Sequence, residues 1–180
     1  SDDGVDWTAG PTLRPEPAER RTWGIDDLTW FRGHLVAVGE DDRHLAVWRS
    51  SDCGMRWTRE RDPSFSLGPD AIGLTQGAEI AATADRLLVI GRQGGEGIPR
   101  GQWAWWYQPG SGWHTIAGGL EAEDVDGPTA DRSRFWTVRF DEAYVPRVLQ
   151  SAGGVEWSDV GAAPDLGLIR IERPSERLLM

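Results

Sequence analysis

The sequence contains no lysine and no asparagine, and its only cysteine is Cys53. A single cysteine excludes an intrachain disulfide and a cysteine-based zinc site. The missing asparagine excludes N-glycosylation acceptors, and the joint lack of lysine and asparagine indicates the codon bias of a GC-rich genome. Apolar runs such as 87–90 are far shorter than the roughly 20 residues that a membrane helix needs. We therefore expect no membrane span.

Basic residues are outnumbered by acidic ones, 19 against 29, so the formal charge at pH 7 is −10. That balance would repel phosphate backbones, and we expect no nucleic-acid partner. By contrast, the chain is rich in tryptophan and glycine, with 11 and 23 residues among 180. Its length suits one sizeable hydrophobic core.

A short motif recurs at intervals of about fifty residues. Its most complete copy is Ser50-x-Asp52-x-Gly54-x-x-Trp57. Aspartate, glycine and tryptophan occur with the same spacing fifty residues earlier, as Asp2, Gly4 and Trp7. Repeats of 20–50 residues are typical of repetitive folds.

Two further copies are degenerate. One keeps Gly154 and Trp157 but has Ala152 where the aspartate belongs, and the other, at 108–113, ends in Trp113. A second marker runs in phase with the motif: short apolar segments begin at 35, 87 and 135. Because the motif and the apolar segments recur at similar intervals, they indicate a true internal repeat.

The apolar residues come in runs of four to seven, bounded by glycine, proline, aspartate and serine, which predicts strands and turns. For the clearest unit we predict strands at 27–31, 35–39, 45–50 and 56–59. The segment 102–107 would place Trp103, Trp105 and Tyr107 on one face and Ala104 and Trp106 on the other. A four-stranded unit with both faces buried is typical of a β-propeller blade.

The motif at 50–57 resembles the Asp-box, Ser/Thr-x-Asp-x-Gly-x-x-Trp, also called the bacterial neuraminidase repeat of sialidase-like and sortilin-like propellers. The resemblance implies that the motif is the hairpin between the third and fourth strands of a blade. It implies structural roles for Ser50, Asp52, Gly54 and Trp57, and for their counterparts Asp2, Gly4, Trp7, Gly154 and Trp157.

The repeat phase divides the chain into three blades at about 8–58, 59–114 and 115–158, with partial blades at 1–7 and 159–180. We therefore expect an all-β propeller of four-stranded antiparallel blades that forms one piece of a longer propeller. A closed four-bladed ring is the alternative.

Ligands of propellers usually bind at the loops that join the second strand to the third and one blade to the next. Seven residues near such positions are candidates for a ligand face: Trp23, Trp30, Asp26, Asp70, Arg100, Asp124 and Tyr144. The resemblance to sialidases would require an arginine triad, a Tyr/Glu pair and a Phe-Arg-Ile-Pro signature, and this signature is absent. His34, His44 and His114 lack metal-ligand spacing, so we expect neither a metal nor a cofactor.

These observations favour a non-catalytic, extracytoplasmic or secreted module that binds a protein or a glycan through its loop face. The alternative is part of an Asp-box glycoside hydrolase, sialidase-like or glucan-degrading, with catalytic residues partly outside this chain.

Overall fold

The computed structural model describes residues 23–41, 44–65, 77–95, 98–116, 127–141 and 143–162. Within these ranges the chain forms three four-stranded antiparallel sheets and one short 3-10 turn, Pro63–Phe65. In each sheet the strands follow one another in chain order. The prediction of an all-β chain of four-stranded antiparallel units is confirmed at this level.

The first sheet matches the unit that the sequence delimits most clearly. Its strands are β1 Trp23–Phe31, β2 His34–Asp41, β3 His44–Ser50 and β4 Thr58–Arg59. The observed first strand begins four residues before the predicted one, and the fourth is limited to two residues. A β-bulge between Ile25 and Asp27 interrupts the register of β1 against β2.

The second sheet has the longest strands. They are β5 Ala78–Ala82, β6 Leu87–Gly95, β7 Ile98–Gln108 and β8 Gly112–Ile116. The third sheet repeats the arrangement with shorter strands. They are β9 Thr129–Ala130, β10 Phe135–Phe140, β11 Pro146–Ser151 and β12 Ser158–Ala162.

The second sheet packs against the first through a core rich in aromatic side chains. Because successive side chains of a strand alternate between faces, Trp103, Trp105 and Tyr107 share one face, as predicted, and this face packs against the first sheet. Trp105 is fully buried, and its indole Nε1 donates to the Ser64 carbonyl at 2.8 Å. The turn at 63–65 therefore closes this core, and Phe65 meets the Trp113 ring edge-on with centroids 5.2 Å apart.

The opposite face of the second sheet packs against the third sheet. Leu88, Ile90 and Ala104 form a buried cluster there with Phe135, and Trp106 packs against the cluster. The predicted division of side chains between the two faces of β7 is thus observed. Both faces of the second sheet are covered.

The turns lie at two ends of the sheets. The end that carries the turns between first and second strands, and the hairpins between third and fourth strands, is called the hairpin end. The other end, where second strands connect to third strands, is called the loop end. Arg32 Nε donates to the Ala84 carbonyl, and Ala84 N donates to the Arg132 carbonyl. These bonds link the three first-to-second-strand turns, so the hairpin ends of all three sheets lie together.

Among the residues that the structure describes, none forms a helix that could cross a bilayer.

Candidate functional site

The first hairpin is organised by a serine and an aspartate. Ser50 Oγ donates to Asp52 Oδ1 at 2.8 Å and accepts from Gly54 N at 2.8 Å. Asp52 Oδ1 also accepts from Arg56 N at 2.8 Å. The bond from Arg56 N has the largest effect on the pKa of the Asp52 carboxyl, and the bond from the Ser50 hydroxyl has the next largest. Both hold this pKa below its usual value. The carboxylate therefore fixes the turn.

Glycine and tryptophan complete the first hairpin. Gly54 has a φ of 88°, a conformation that residues with a Cβ rarely adopt. Trp57 is half-buried and packs on Ala37, Ala46 and Trp48. Those side chains lie on the face of the first sheet that points away from the second sheet.

The third hairpin keeps part of this network. Ser151 Oγ accepts from Gly154 N at 2.8 Å, and Gly154 has a φ of 81°. Because Ser151 pairs with Phe135 as Ser50 pairs with Leu35, the path from serine to glycine is one residue shorter here. A comparison at fixed spacing aligns Gln150 with Ser50 and therefore misses this serine. Trp157 Nε1 donates to the Gly154 carbonyl at 3.2 Å.

The second hairpin is a tight turn without an aspartate. Ser111 N donates to the Gln108 carbonyl at 3.1 Å, and Gly110 and Gly112 have positive φ values of 90° and 85°. Trp113 lies within β8, is 7% exposed and donates from Nε1 to Glu60. The three hairpins thus share a tryptophan but differ in how the turn is held.

At the loop end, two carboxylates of β1 bind the backbone of β5. Asp26 Oδ2 accepts from Ala78 N at 2.9 Å, and Asp27 Oδ2 accepts from Ile80 N at 3.0 Å. Because alternate N–H groups of an antiparallel strand point to opposite sides, these two amides lie on the edge of β5 that faces away from β6. The carboxylates therefore bind donors that the sheet itself leaves unpaired.

Partial burial raises the pKa of Asp26, and repulsion by Glu79 acts in the same direction. The hydrogen bond from Ala78 N acts in the opposite direction. A β-carbon at Gly77 would lie 3.1 Å from the Asp26 carboxyl carbon, so glycine leaves room for this contact. Asp26 is thus held in place as a link between sheets.

The turn between β10 and β11 displays Tyr144 at the loop end. Its side chain is 83% exposed and its φ is 58°. Asp141 Oδ1 accepts from Ala143 N at 3.0 Å and from Val145 N at 2.9 Å. The Asp141 carbonyl accepts from Tyr144 N at 2.8 Å. These hydrogen bonds hold the backbone of the turn that carries the exposed ring of Tyr144.

The structure separates the other candidate ligand-face residues. Trp30, 54% exposed, lies at the hairpin end of β1 beside the turn at 32–33, far from Asp26 along the same strand. Trp23 and Arg100 lie in β1 and β7, and for them the structure describes the backbone only. The remaining sites lie outside the described residues: Asp2, Gly4, Trp7, Asp70 and Asp124.

One well-organised turn, at 131–134, was not predicted from the sequence. Asp131 Oδ1 accepts from Ser133 N at 2.7 Å and Arg134 N at 2.9 Å, and Asp131 Oδ2 accepts from Trp136 Nε1 at 3.1 Å. These bonds lower the pKa of Asp131 to about 2, and the bond from Ser133 N has the largest effect. An aspartate followed two residues later by serine is a turn signal that could have identified it.

A groove of about 380 Å³ lies at the hairpin end of the third sheet. Arg134, Glu156 and Trp157 line it, together with Ala152 at the position of the missing aspartate. Arg134 Nη1 donates to Gln150 Oε1 at 2.6 Å. The groove combines an aromatic ring, a cation and a carboxylate, which are groups that bind small polar ligands.

Within the described residues, no three histidine, cysteine or carboxylate side chains come close enough to hold a metal ion. His114 instead stacks on the Trp106 ring, with centroids 4.2 Å apart. Its imidazole thus contributes to packing between strands of the second sheet.

No protein-family model matches the sequence, and no curated protein is significantly similar to it.

Proposed function

We propose that the three sheets are consecutive blades of an Asp-box β-propeller that acts as a non-catalytic binding module, taking a protein or a glycan at its loop end. The observation that carries the proposal is the repeated position of the hairpin tryptophan. Trp113 packs between the first and second sheets, and Trp157 packs between the second and third. Trp57 lies on the outer face of the first sheet.

Trp113 and Trp157 therefore pack on the side of their sheets that faces the preceding sheet, and Trp57 lies on the equivalent side of the first sheet. The first strands also lie next to one another, since β5 contacts both β1 and β9. Radial arrangement of blades around an axis brings first strands together in this way. The arrangement supports blades packed in series.

The outer face of the first sheet supports a further unit. Ile25, Leu28 and Trp30 lie on this face and are 38%, 45% and 54% exposed. In the second and third sheets the corresponding face is covered by the preceding sheet. An additional blade against the first sheet would remove this apolar stripe from water.

The loop end offers a surface suited to binding. Tyr144 presents a large, amphipathic ring on a turn that Asp141 holds, and Val145 beside it is 39% exposed. Tyrosine provides contact area at low entropic cost, and a fixed turn reduces the cost of ordering on binding. This turn is the part of the described loop end best placed to contact a partner.

The carboxylates at the loop end favour binding over hydrolysis. A glycoside hydrolase needs two carboxyl groups free to act on a substrate, roughly 5–9.5 Å apart. Asp26 and Asp27 instead accept backbone hydrogen bonds from β5. One oxygen of each carboxyl group is therefore engaged in the contact between the sheets.

A panel of fluorogenic glycosides, sialosides included, tests the absence of catalysis. We expect no release of fluorophore above the blank. Turnover by the protein that disappears in Asp26→Asn would overturn the proposal in favour of the glycoside hydrolase.

Affinity capture on immobilised protein, paired with a glycan array, tests the binding surface. Tyr144→Ala should lose the captured ligand, because it removes the exposed ring without altering the bonds of Asp141. Val155→Ala is the matched control, since Val155 is 47% exposed but lies at the hairpin end. Equal retention of ligand by both variants would contradict a loop-end site.

A further inference from the structure

The third hairpin differs from the first at the position of the motif aspartate. In the first hairpin the Asp52 carboxylate occupies the turn and accepts from Ser50 Oγ and Arg56 N. In the third hairpin this position is Ala152, whose methyl group has no hydrogen-bonding capacity, and Ser151 Oγ binds the Gly154 amide without help from a carboxylate. Loss of the carboxylate coincides with the groove that Ala152 lines.

The groove has the size of a small-ligand site. Its volume of about 380 Å³ falls within the range of roughly 300–1,000 Å³ typical of ligand pockets. The residues around it are Arg134, Gln150, Ala152, Glu156, Trp157 and Ser158. They come from the turn before β10, the end of β11, the hairpin itself and the first residue of β12.

Trp157 supplies an apolar surface. It is half-buried against the core between the second and third sheets, so its position is fixed by packing. Because its Nε1 donates to the Gly154 carbonyl, the N–H of the indole is already bound. The part of the ring that lines the groove is therefore available for contact with C–H groups.

The polar groups beside the ring are complementary to hydroxyls. Arg134 donates one guanidinium N–H to Gln150 Oε1 at 2.6 Å, which brings the two side chains together at the groove. The Gln150 oxygen accepts this bond, and its amide NH2 group is a donor at the same groove. Glu156 is exposed and presents acceptors at the same groove.

We propose that this groove binds a neutral pyranose unit of a glycan. The apolar face of the sugar would contact Trp157, and adjacent hydroxyls would donate to Glu156 and accept from Arg134. One positive and one negative side chain leave the groove without net charge, and the overall charge of −10 disfavours acidic sugars. The assignment adds a second site to the proposed loop-end surface and does not depend on it.

The test is binding of glucose, galactose and mannose oligosaccharides on an array, followed by titration calorimetry with the best binder. Glu156→Gln should weaken binding about tenfold, because the amide oxygen still accepts but lacks the charge that strengthens the hydrogen bond. Ala152→Asp should abolish binding, since it puts a carboxylate back into the groove. Unchanged thermal unfolding would show that both variants remain folded.

Arg56→Gln is the matched control, because Arg56 holds the position of Glu156 in the first hairpin. It should bind as the unaltered protein does. The inference is overturned if no neutral oligosaccharide binds, or if Glu156→Gln and Ala152→Asp bind normally. It is also overturned if only sialylated glycans or peptides bind.

Loss of oligosaccharide binding in Tyr144→Ala alone would assign the sugar to the loop end. That result would overturn the hairpin groove while leaving the proposed function intact. Conversely, loss in Glu156→Gln with no effect of Tyr144→Ala supports the groove whatever the loop end binds.

Discussion

The core between the first and second sheets differs in composition from the core between the second and third. The former includes the buried aromatic residues Phe31, Phe65, Trp105 and Trp113. In the latter the buried cluster is aliphatic apart from Phe135. Polar links add to it, since Arg86 Nη1 donates to the Gly153 carbonyl at 3.5 Å. Units with the same strand order can thus be joined by quite different chemistry.

Removal of the largest buried ring should give the largest effect. We expect Trp105→Ala to lower the free energy of unfolding by roughly 3–5 kcal/mol, and Leu88→Ala, in the other core, by a smaller amount within the roughly 2–5 kcal/mol typical of a buried leucine. Both side chains are fully buried, so the difference reflects the volume removed. Urea unfolding measures both. A larger loss in Leu88→Ala would reverse the comparison between the two cores.

The hairpin tryptophans should rank by their burial. Trp113→Ala should cost roughly 3–5 kcal/mol, because the ring is buried between two sheets and contacts Phe65. Trp57 is half-buried on the outer face of the first sheet, so Trp57→Ala should cost roughly 1–3 kcal/mol. Thermal and urea unfolding provide the measurements. Equal losses would indicate that the outer face is covered in solution, as an additional blade requires.

The polar link between the second and third sheets should weaken in acid. Asp131 holds the turn whose Arg132 carbonyl accepts from Ala84 N. Its pKa is lowered to about 2 in the folded protein. Its stabilising effect is therefore complete above the usual pKa of an aspartate, near 4, and is lost as the pH falls through about 2.

The weakening of this link is measured by hydrogen exchange at the Ala84 amide between pH 4 and pH 2. The observed exchange rates are corrected for the pH dependence of the intrinsic exchange rate. We expect protection to fall in this interval. Asp131→Asn is the control, because its side-chain oxygen accepts hydrogen bonds but does not titrate in this range. Constant protection in the unaltered protein would show that the turn does not depend on the charge of Asp131.

Local patterns predicted much of the backbone. Alternation along 102–107 correctly divided the aromatic side chains of β7 between two faces, because side-chain direction in a strand depends on sequence parity alone. Glycine positions marked turns, as at Gly54 with its φ of 88°. The bulge at Ile25/Asp27 was not predicted, since it depends on how β1 meets β2.

Contacts between sheets were beyond prediction from the sequence. Asp26 and Asp27 could be placed near the start of a strand, but their acceptance of hydrogen bonds from Ala78 and Ile80 requires knowing that β1 and β5 are neighbours. The groove at Trp157 was likewise missed. Its parts are Arg134 and Glu156, which lie 22 residues apart and meet only through the pairing of β10 with β11.

The two carboxylates of β1 that bind the edge of β5 also bear on solubility. An unpaired strand edge is a template on which another chain can add a strand. With Ala78 N and Ile80 N bound by Asp26 and Asp27, an incoming strand would find two donors already occupied and would meet two negative charges. Substitution of both aspartates should therefore show first as aggregation, even where the folded protein retains most of its stability.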